Sequence, residues 1–149
     1  LCYPLFNTRL TQEICGNINE SLLLFDWQFR PQPNLAKSFE MSPDGLTYVF
    51  RLRDDVVWHD GKPFTAHDVA FSCGQMLPQL NPRSRAAFSH IASIKTPDRH
   101  TVEMRLSQPF SAFLLSFMAS SAPMMPAHIY EGTDFRTNPY NLKPIGTGP

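Results

Sequence analysis

The chain has 149 residues, which is enough for one domain with a substantial hydrophobic core. Thirteen basic residues balance thirteen acidic ones, so the chain lacks the positive charge expected of a protein that binds nucleic acid or an anionic membrane surface. Apolar residues make up 42% and charged residues 17%, which argues against intrinsic disorder, and no apolar run is long enough to predict a transmembrane helix. Fourteen prolines predict short elements rather than a long helical bundle.

The first predicted element is a helix that begins at Thr11 and runs to about Leu23, although Gly16 weakens it. A short strand is predicted at 24–26, and the prolines in 30–34 indicate a loop. The first part of the chain therefore reads as a helix and a short strand that lead into a more regular region.

The clearest local pattern is a β-hairpin. Residues 35–41 read as a strand, and Ser-Pro-Asp-Gly at 42–45 is typical of a turn, because proline and glycine suit its successive positions. Residues 47–53 alternate between apolar and polar side chains, which predicts a half-buried strand. Its predicted inward-facing residues are Tyr48, Phe50 and Leu52.

A helix is predicted to begin after a second turn at 59–62. Thr65 and Asp68 have the spacing of a capping box, in which the two residues satisfy free N–H groups at a helix start. Phe64 just before the cap can pack on the helix, and Pro78 is expected to end it. The apolar residues at helical spacing are Val69, Cys73, Met76 and Leu77.

The remaining sequence predicts a second hairpin between short helical and irregular segments. The predicted elements of the whole chain together indicate an α+β fold, with antiparallel hairpins and helices packed on them. The predicted segments are a polar loop at 81–85, strands at 91–96 and 101–107 joined by a turn, a helix from Ser111 to Ser116, one helical turn within 124–130, and a loop from Glu131 onwards.

Two His-Asp dipeptides are the strongest candidates for catalytic or metal chemistry. His59, Asp60, His67 and Asp68 lie within ten residues and could hold a divalent metal in a hydrolase. Turn, capping and solvent-facing roles account for all four residues and are favoured, because one turn and one helix start do not supply the rigid surroundings of a metal site. The sequence also lacks a nucleophile elbow and a glycine-rich phosphate loop. We therefore predict no enzyme activity, no metal and no cofactor.

Two phenylalanines are predicted to lie in irregular segments beside arginines. Phe6 is near Arg9, and Phe88 is near Arg83 and Arg85. A guanidinium beside an aromatic ring can bind a peptide-like or acidic ligand by stacking and paired hydrogen bonds. The alternative is that each phenylalanine fills a small cluster of the core.

The ends and the cysteines leave other points open. The sequence opens without methionine or a signal-peptide pattern and closes in a turn-rich stretch, so we expect a piece of a longer protein with its signal peptide not present. Cys2, Cys15 and Cys73 lack zinc-finger spacing, and their number settles neither their disulfide status nor the redox compartment.

Five segments in order carry a resemblance to a known family. They are NINESL at 17–22, LAKSFEMSPDGLTYVFRLR at 35–53, VWHDGKPFTAHDVAFS at 57–72, LSQPF at 106–110 and PIGTGP at 144–149. Together they resemble the family 5 extracellular solute-binding proteins, which are the peptide, nickel and opine receptors of ABC importers. The sequence departs from the family pattern at Asn19, Ser21 and Cys73, none of which disturbs the expected fold.

This resemblance implies part of a two-lobed periplasmic-binding-protein-like (type II) fold that closes around a ligand. Residues 1–34 would be a lead-in segment and helix of lobe one, 35–143 its small N-terminal subdomain, and 144–149 the exit towards the rest of that lobe. The second lobe and most of the cleft would lie elsewhere in the protein.

The implied function is capture of a peptide or similar small solute, such as an opine or a nickel chelate, outside the cytoplasm. A membrane permease would be the partner, nucleic acid would not, and the protein would be periplasmic or on the cell surface. Asn7 and Arg9 are the first candidate ligand-binding residues. The others are Phe6, Arg83, Arg85 and Phe88. An alternative implied by the same fold is the solute-sensing domain of a cytoplasmic transcription regulator.

Overall fold

A four-stranded antiparallel sheet organises the part of the chain that the computed structural model describes, residues 16–118 and 120–149. The strand order is β3-β4-β6-β5, so each predicted hairpin contributes one central strand and one edge strand. The four strands are β3 (Ala36–Met41), β4 (Thr47–Leu52), β5 (Ile91–Asp98) and β6 (Thr101–Leu106).

The register of the two central strands confirms the predicted alternation. Tyr48 pairs with Met104 and Phe50 with Val102, and these four side chains are buried on the same face. The first hairpin turns at Gly45, whose φ of 68° lies in the left-handed region that glycine adopts without strain. The second hairpin is tighter than predicted, because β5 extends to Asp98.

A smaller hairpin corrects two predictions. Strands β1 (Leu23–Phe25) and β2 (Pro31–Pro33) pair with each other, so 30–34 is not simply a loop, and the predicted helix does not reach Leu23. The residues just before β1 instead bond to the start of β3, with the N–H of Ala36 donating to the Leu22 carbonyl at 3.0 Å. Leu22 and Leu23 are fully buried, so extended pairing replaces the helix that their spacing suggests.

The helix after Thr65 is confirmed, but it has three parts. It consists of α1 (Ala66–Phe71), a wider π-helical stretch (Ser72–Met76) and α2 (Leu77–Leu80). Pro78 does not end the run, because it lies in the first turn of α2, where proline is tolerated. The predicted apolar face, Val69, Cys73, Met76 and Leu77, is buried.

The segment after this run also differs from its prediction. Residues 82–88 form α3 (Pro82–Phe88), where a polar loop was expected at 81–85. Asn81 caps α3 by accepting a hydrogen bond from the Arg83 N–H at 2.9 Å, and Pro82 occupies the first helical turn, where proline is favoured. An Asn-Pro pair in a sequence can therefore mark the start of a helix as well as a loop.

The last elements are short. The helix predicted from Ser111 to Ser116 is a turn followed by a 3₁₀ helix (Leu114–Phe117), and α4 (Ala127–Tyr130) is the predicted single helical turn. A further 3₁₀ helix (Pro139–Leu142) interrupts the predicted terminal loop.

Aromatic rings form the centre of the core. Phe50 packs on Phe117 with ring centroids 5.1 Å apart, and Tyr48 packs on Phe113 at 4.8 Å. Helix α1 packs against β5 and β6, which completes a layer of helix on sheet. Cys73 belongs to this core, and burial raises the pKa of its thiol, so it is an inert apolar side chain.

Candidate functional site

The six predicted ligand-binding residues fall in two groups. Phe6, Asn7 and Arg9 lie outside the described residues, and the other three, Arg83, Arg85 and Phe88, lie on α3. The two arginine side chains are exposed, whereas Phe88 is 5% exposed.

Phe88 is a core residue at the end of a helix. Its ring packs on Phe117 with centroids 5.6 Å apart, so the expectation that it lies in an irregular segment is wrong. The cause is the Asn81 cap, which starts a helix and carries Phe88 round to the apolar side.

Arg85 joins two helices. Its Nε–H donates to the Pro78 carbonyl at 2.7 Å and its Nη2–H donates to the Gln79 carbonyl at 3.2 Å. Carbonyls at the end of a helical run lack partners within the helix, and a cationic side chain is favourable there. The guanidinium has five N–H donors in all, so these two bonds leave it able to bind a further acceptor.

An open cleft of about 510 Å³ brings Arg85 and Phe88 together. The cleft runs between the π-helical stretch, the end of α3 and the start of the edge strand β5. Arg83 does not line it. The polar side chains that line the cleft with Arg85 are His67, Gln75, Ser89 and Ser93. Hydroxyl, amide and guanidinium groups among apolar lining residues can orient a small ligand that has both polar and apolar parts.

Helix α3 is held in place by a contact that the sequence does not reveal. The Ser84 hydroxyl is buried and donates to the Ser121 carbonyl at 2.5 Å. The two residues are 37 positions apart, and serine has no spacing pattern that predicts such a bond. Because this contact holds the Ser84 side of α3 against the protein, Arg83 and Arg85 face the solvent.

The two His-Asp dipeptides do not converge. Asp60 accepts a hydrogen bond from His128 at 2.7 Å, and His67 bonds Glu131 at 2.8 Å. Among the residues that the structure describes, no three histidine, cysteine or acidic side chains come together as a metal site. His128 and Glu131 were not candidates from the sequence, because each acquires its partner only through the packing of α4.

Asp68 confirms the capping role that the sequence assigned to it. Its carboxylate accepts hydrogen bonds from the Thr65 N–H at 2.8 Å and the Ala127 N–H at 2.9 Å. The side chain is 4% exposed, so it joins the start of α1 to the start of α4 inside the protein. It is therefore a structural carboxylate rather than a catalytic one.

Hydrogen bonding lowers the pKa of the Asp60 carboxylate. Partial burial acts to raise its pKa, but the hydrogen bonds from His128 and from the Lys62 N–H outweigh this effect and hold the pKa below its usual range. Asp60 is therefore ionised at neutral pH and serves as the partner of His128.

No helix in the described ranges is both long enough and apolar enough to cross a bilayer.

Comparison with known proteins identifies the family. The model for "Bacterial extracellular solute-binding proteins, family 5 Middle" matches residues 30–149. The glutathione-binding protein GsiB of Escherichia coli is 31% identical over 147 residues, which cover 96% of this chain and 28% of GsiB.

Solved structures agree in sequence and in fold. NikZ from Campylobacter jejuni, in complex with Ni(L-His), is 35% identical with a TM-score of 0.83, over 98% of this chain and 29% of NikZ. DppA from Helicobacter pylori, a periplasmic binding protein in complex with the peptide STSA, is 28% identical with a TM-score of 0.79, over 99% of this chain and 33% of DppA.

The chain thus spans a third or less of the length of these relatives. The family match covers the hairpins β3–β4 and β5–β6, the helix after Thr65 and the closing segment, and it contains four of the five segments that carry the resemblance in the sequence. The fold is that of the periplasmic-binding-protein-like (type II) proteins. The chain belongs to the family 5 bacterial extracellular solute-binding proteins.

Proposed function

We propose that the protein containing this chain captures a peptide or a similar small solute outside the cytoplasm and delivers it to an ABC permease. The observation that carries this proposal is the match over nearly the whole chain to a binding protein named for glutathione and to two structures, one in complex with Ni(L-His) and one in complex with a peptide. All three ligands carry carboxylate groups. Binding without chemical conversion is also supported by His67, His128 and the buried Asp68 carboxylate, because each bonds to another group of the protein.

The chain would supply one wall of the binding cleft. Residues 1–34 would lead into lobe one, 35–143 would form its small subdomain, and 144–149 would continue towards the rest of the lobe. Two lobes that close on a solute share the contacts between them, so one wall alone is expected to bind weakly. The relatives are about three times longer or more, which is consistent with a second lobe elsewhere in the protein.

Arg85 is the described residue best placed to contact the solute. Arg85 is exposed, its guanidinium is held by two backbone carbonyls, and it lines the cleft together with Phe88. A guanidinium held in this way can bind a carboxylate through two parallel hydrogen bonds, which fits the ligands of the relatives. Arg83, Phe6, Asn7 and Arg9 remain proposed contacts from the sequence.

Native mass spectrometry of the gently purified full-length protein would identify a co-purified solute. Isothermal titration with that solute would then compare wild type, Arg85→Ala and the control Arg105→Ala, which removes an exposed arginine on β6. We expect Arg85→Ala to weaken binding about tenfold or more, because a charge-assisted pair is lost, and Arg105→Ala to leave it unchanged.

Equal binding by all three proteins would show that Arg85 does not contact the solute. A protein that turns over its solute would contradict the proposed function, as would one that remains in the cytoplasm during cell fractionation. The cytoplasmic result would favour the transcription regulator.

A further inference from the structure

The turn between β1 and β2 carries the most exposed aromatic side chains of the residues that the structure describes. Trp27 is 85% exposed and Phe29 is 67% exposed, and Leu24 on the strand before the turn is 51% exposed. We call these three residues the aromatic tip. Folding normally removes side chains of this size from water, because their apolar surface gains free energy when it is buried. The aromatic tip is therefore apolar surface that the described fold leaves unused.

The backbone of the turn holds the aromatic tip in place. Phe29 has a φ of 59°, in the left-handed region that a bulky side chain rarely adopts. Its N–H donates to the Asp26 carbonyl at 2.9 Å, and the Asp26 N–H donates to the Arg30 carbonyl at 3.1 Å. The Asp26 carboxylate accepts further bonds from the N–H groups of Gln28 and Arg30, both at 2.9 Å. The position of the exposed rings is thus set by the turn itself.

The charged groups of the turn are paired with each other. The Arg30 Nε–H donates to the Asp26 carboxylate at 2.8 Å, and the Gln32 amide donates to it at 3.3 Å. The Asp26 side chain is only 19% exposed, and the whole chain has a formal net charge of zero. A surface that meets the aromatic tip therefore meets apolar side chains and a neutralised ion pair, so the attraction between them is apolar rather than electrostatic.

The apolar surface continues beside the turn. Leu24 and Phe29 line a shallow groove of about 360 Å³ together with Phe25 and Met118. Met118 directly follows the 3₁₀ helix Leu114–Phe117. Two members of the aromatic tip therefore lie on the same side of the hairpin as this groove.

The size of the aromatic tip decides between a protein partner and a lipid surface. Its exposed area is roughly 400 Å², since a large aromatic side chain has about 150 to 250 Å² to bury. A specific protein interface needs about 800 Å² from each partner, and Pro31 and Pro33 on β2 have no N–H to donate to an added strand. A bilayer needs no matching shape and accepts small protruding rings, and tryptophan is enriched at its headgroup level. These features favour a lipid surface.

We propose that the aromatic tip inserts into the headgroup region of a phospholipid bilayer. The inference goes beyond solute capture, and it rests on the proposed function only for its location, because a protein that delivers solute to a permease works at a membrane surface. Three side chains give an association constant of about 10⁴ M⁻¹, similar to that of a single myristoyl chain. The contact is weak and reversible, which allows the protein to leave the membrane and return.

Vesicles of phosphatidylcholine and phosphatidylethanolamine, mixed with the full-length protein in the absence of solute, would test the insertion. Co-sedimentation measures the association. Trp27 fluorescence, taken as the difference between wild type and Trp27→Phe, should shift to shorter wavelength with vesicles and be quenched by brominated acyl chains. Trp58 is 1% exposed and should not respond.

Three variants make the test specific. Trp27→Gln and Phe29→Asn each replace a ring with a polar side chain, and asparagine tolerates the left-handed backbone, so the turn is retained. We expect each variant to weaken the association about tenfold, because one large apolar side chain is lost from the contact. The control is Leu142→Ser, which removes a leucine that is 81% exposed on the last 3₁₀ helix and should bind vesicles like wild type.

Wild-type protein that does not associate with vesicles would overturn the proposal, as would equal association by wild type, Trp27→Gln and Phe29→Asn. Trp27 emission that is already at short wavelength in buffer would also overturn it, because another part of the protein would then cover the aromatic tip. Association that is abolished by about 0.5 M salt would assign the contact to charged groups instead.

Self-association that Trp27→Gln abolishes, without vesicle binding, would assign the aromatic tip to a second copy of the protein and overturn the lipid contact. Solute binding is measured separately by titration without vesicles. Its failure would contradict the proposed function, whereas failure of vesicle binding alone would contradict only the insertion.

Discussion

Asp26 shows how one residue organises a small element. Its carboxylate accepts hydrogen bonds from the Gln28 and Arg30 N–H groups, both at 2.9 Å, and from Arg30 Nε at 2.8 Å. These bonds close the turn between β1 and β2, in which Phe29 adopts a φ of 59° that is uncommon outside glycine. The turn holds Trp27 85% exposed to solvent.

The same carboxylate makes the β1–β2 hairpin sensitive to acid. The Arg30 N–H is the main cause that holds the pKa of Asp26 below its usual 3.8, and burial opposes it only in part. A lowered pKa means that the ionised carboxylate supports the hairpin above about pH 4, and that this support is lost as the pH falls through the folded-state pKa.

We therefore expect the emission anisotropy of Trp27 to fall between about pH 4 and about pH 2, before the core unfolds. The second tryptophan, Trp58, is 1% exposed and reports on the core. A Trp27→Phe variant gives the Trp58 signal alone, so the difference from wild type is the signal of Trp27. Asp26→Asn should show the low anisotropy already at neutral pH. An acid transition that is unchanged in Asp26→Asn would rule out this role.

At the scale of elements, β4 depends on the rings that cover it. Phe50 is fully buried at the centre of the sheet and packs on Phe117, whereas Phe39 on the edge strand β3 is only partly buried. The period-two pattern in the sequence predicted Phe50 as a core residue, but its partner Phe117 is 67 positions later and could not be inferred.

Phe50→Ala should lower the free energy of unfolding by about 3 to 5 kcal/mol, because it removes a buried ring and leaves a cavity. Phe39→Ala is the matched control and should cost clearly less, since part of the Phe39 ring remains in contact with water. Urea unfolding of the two variants checks the difference. Equal losses would mean that the centre and the edge of the sheet are packed equally well.

At the scale of the whole molecule, a close contact between the backbones of 17–18 and 146–148, here called the backbone crossing, joins the first and last described segments. Gly146 is buried there, and its Cβ position coincides with a backbone oxygen that cannot rotate away. By contrast, an alanine at Gly74 would meet only the end of the Ile94 side chain, at 3.4 Å.

Gly146→Ala is therefore expected to destabilise the chain by about 3 kcal/mol or more, whereas Gly74→Ala should stay within about 1 kcal/mol of wild type. Thermal unfolding followed by circular dichroism would compare the two. A Gly146→Ala protein with the stability of wild type would show that the segments do not cross at this distance.

The sequence alone determined the features that depend on near neighbours in the chain. These are the hairpin at 35–53, the capping of α1 by Asp68, the buried face of that helix and, through motif order, the family. Each follows from backbone preferences or side-chain periodicity over a few residues, which act whatever the remainder of the chain does.

Only the tertiary structure decided the features that join distant residues. Leu22 and Leu23 have helical spacing but are extended, because β3 offers a backbone partner to Leu22 and β2 offers one to Leu23. Likewise, His128 bonds to Asp60, and the His59 ring bonds to Gly146 and Gly148. These partners are 68 to 89 positions apart in the sequence. Such contacts arise when the core brings separate segments together, and no local preference of histidine, aspartate or glycine encodes which partner each one meets.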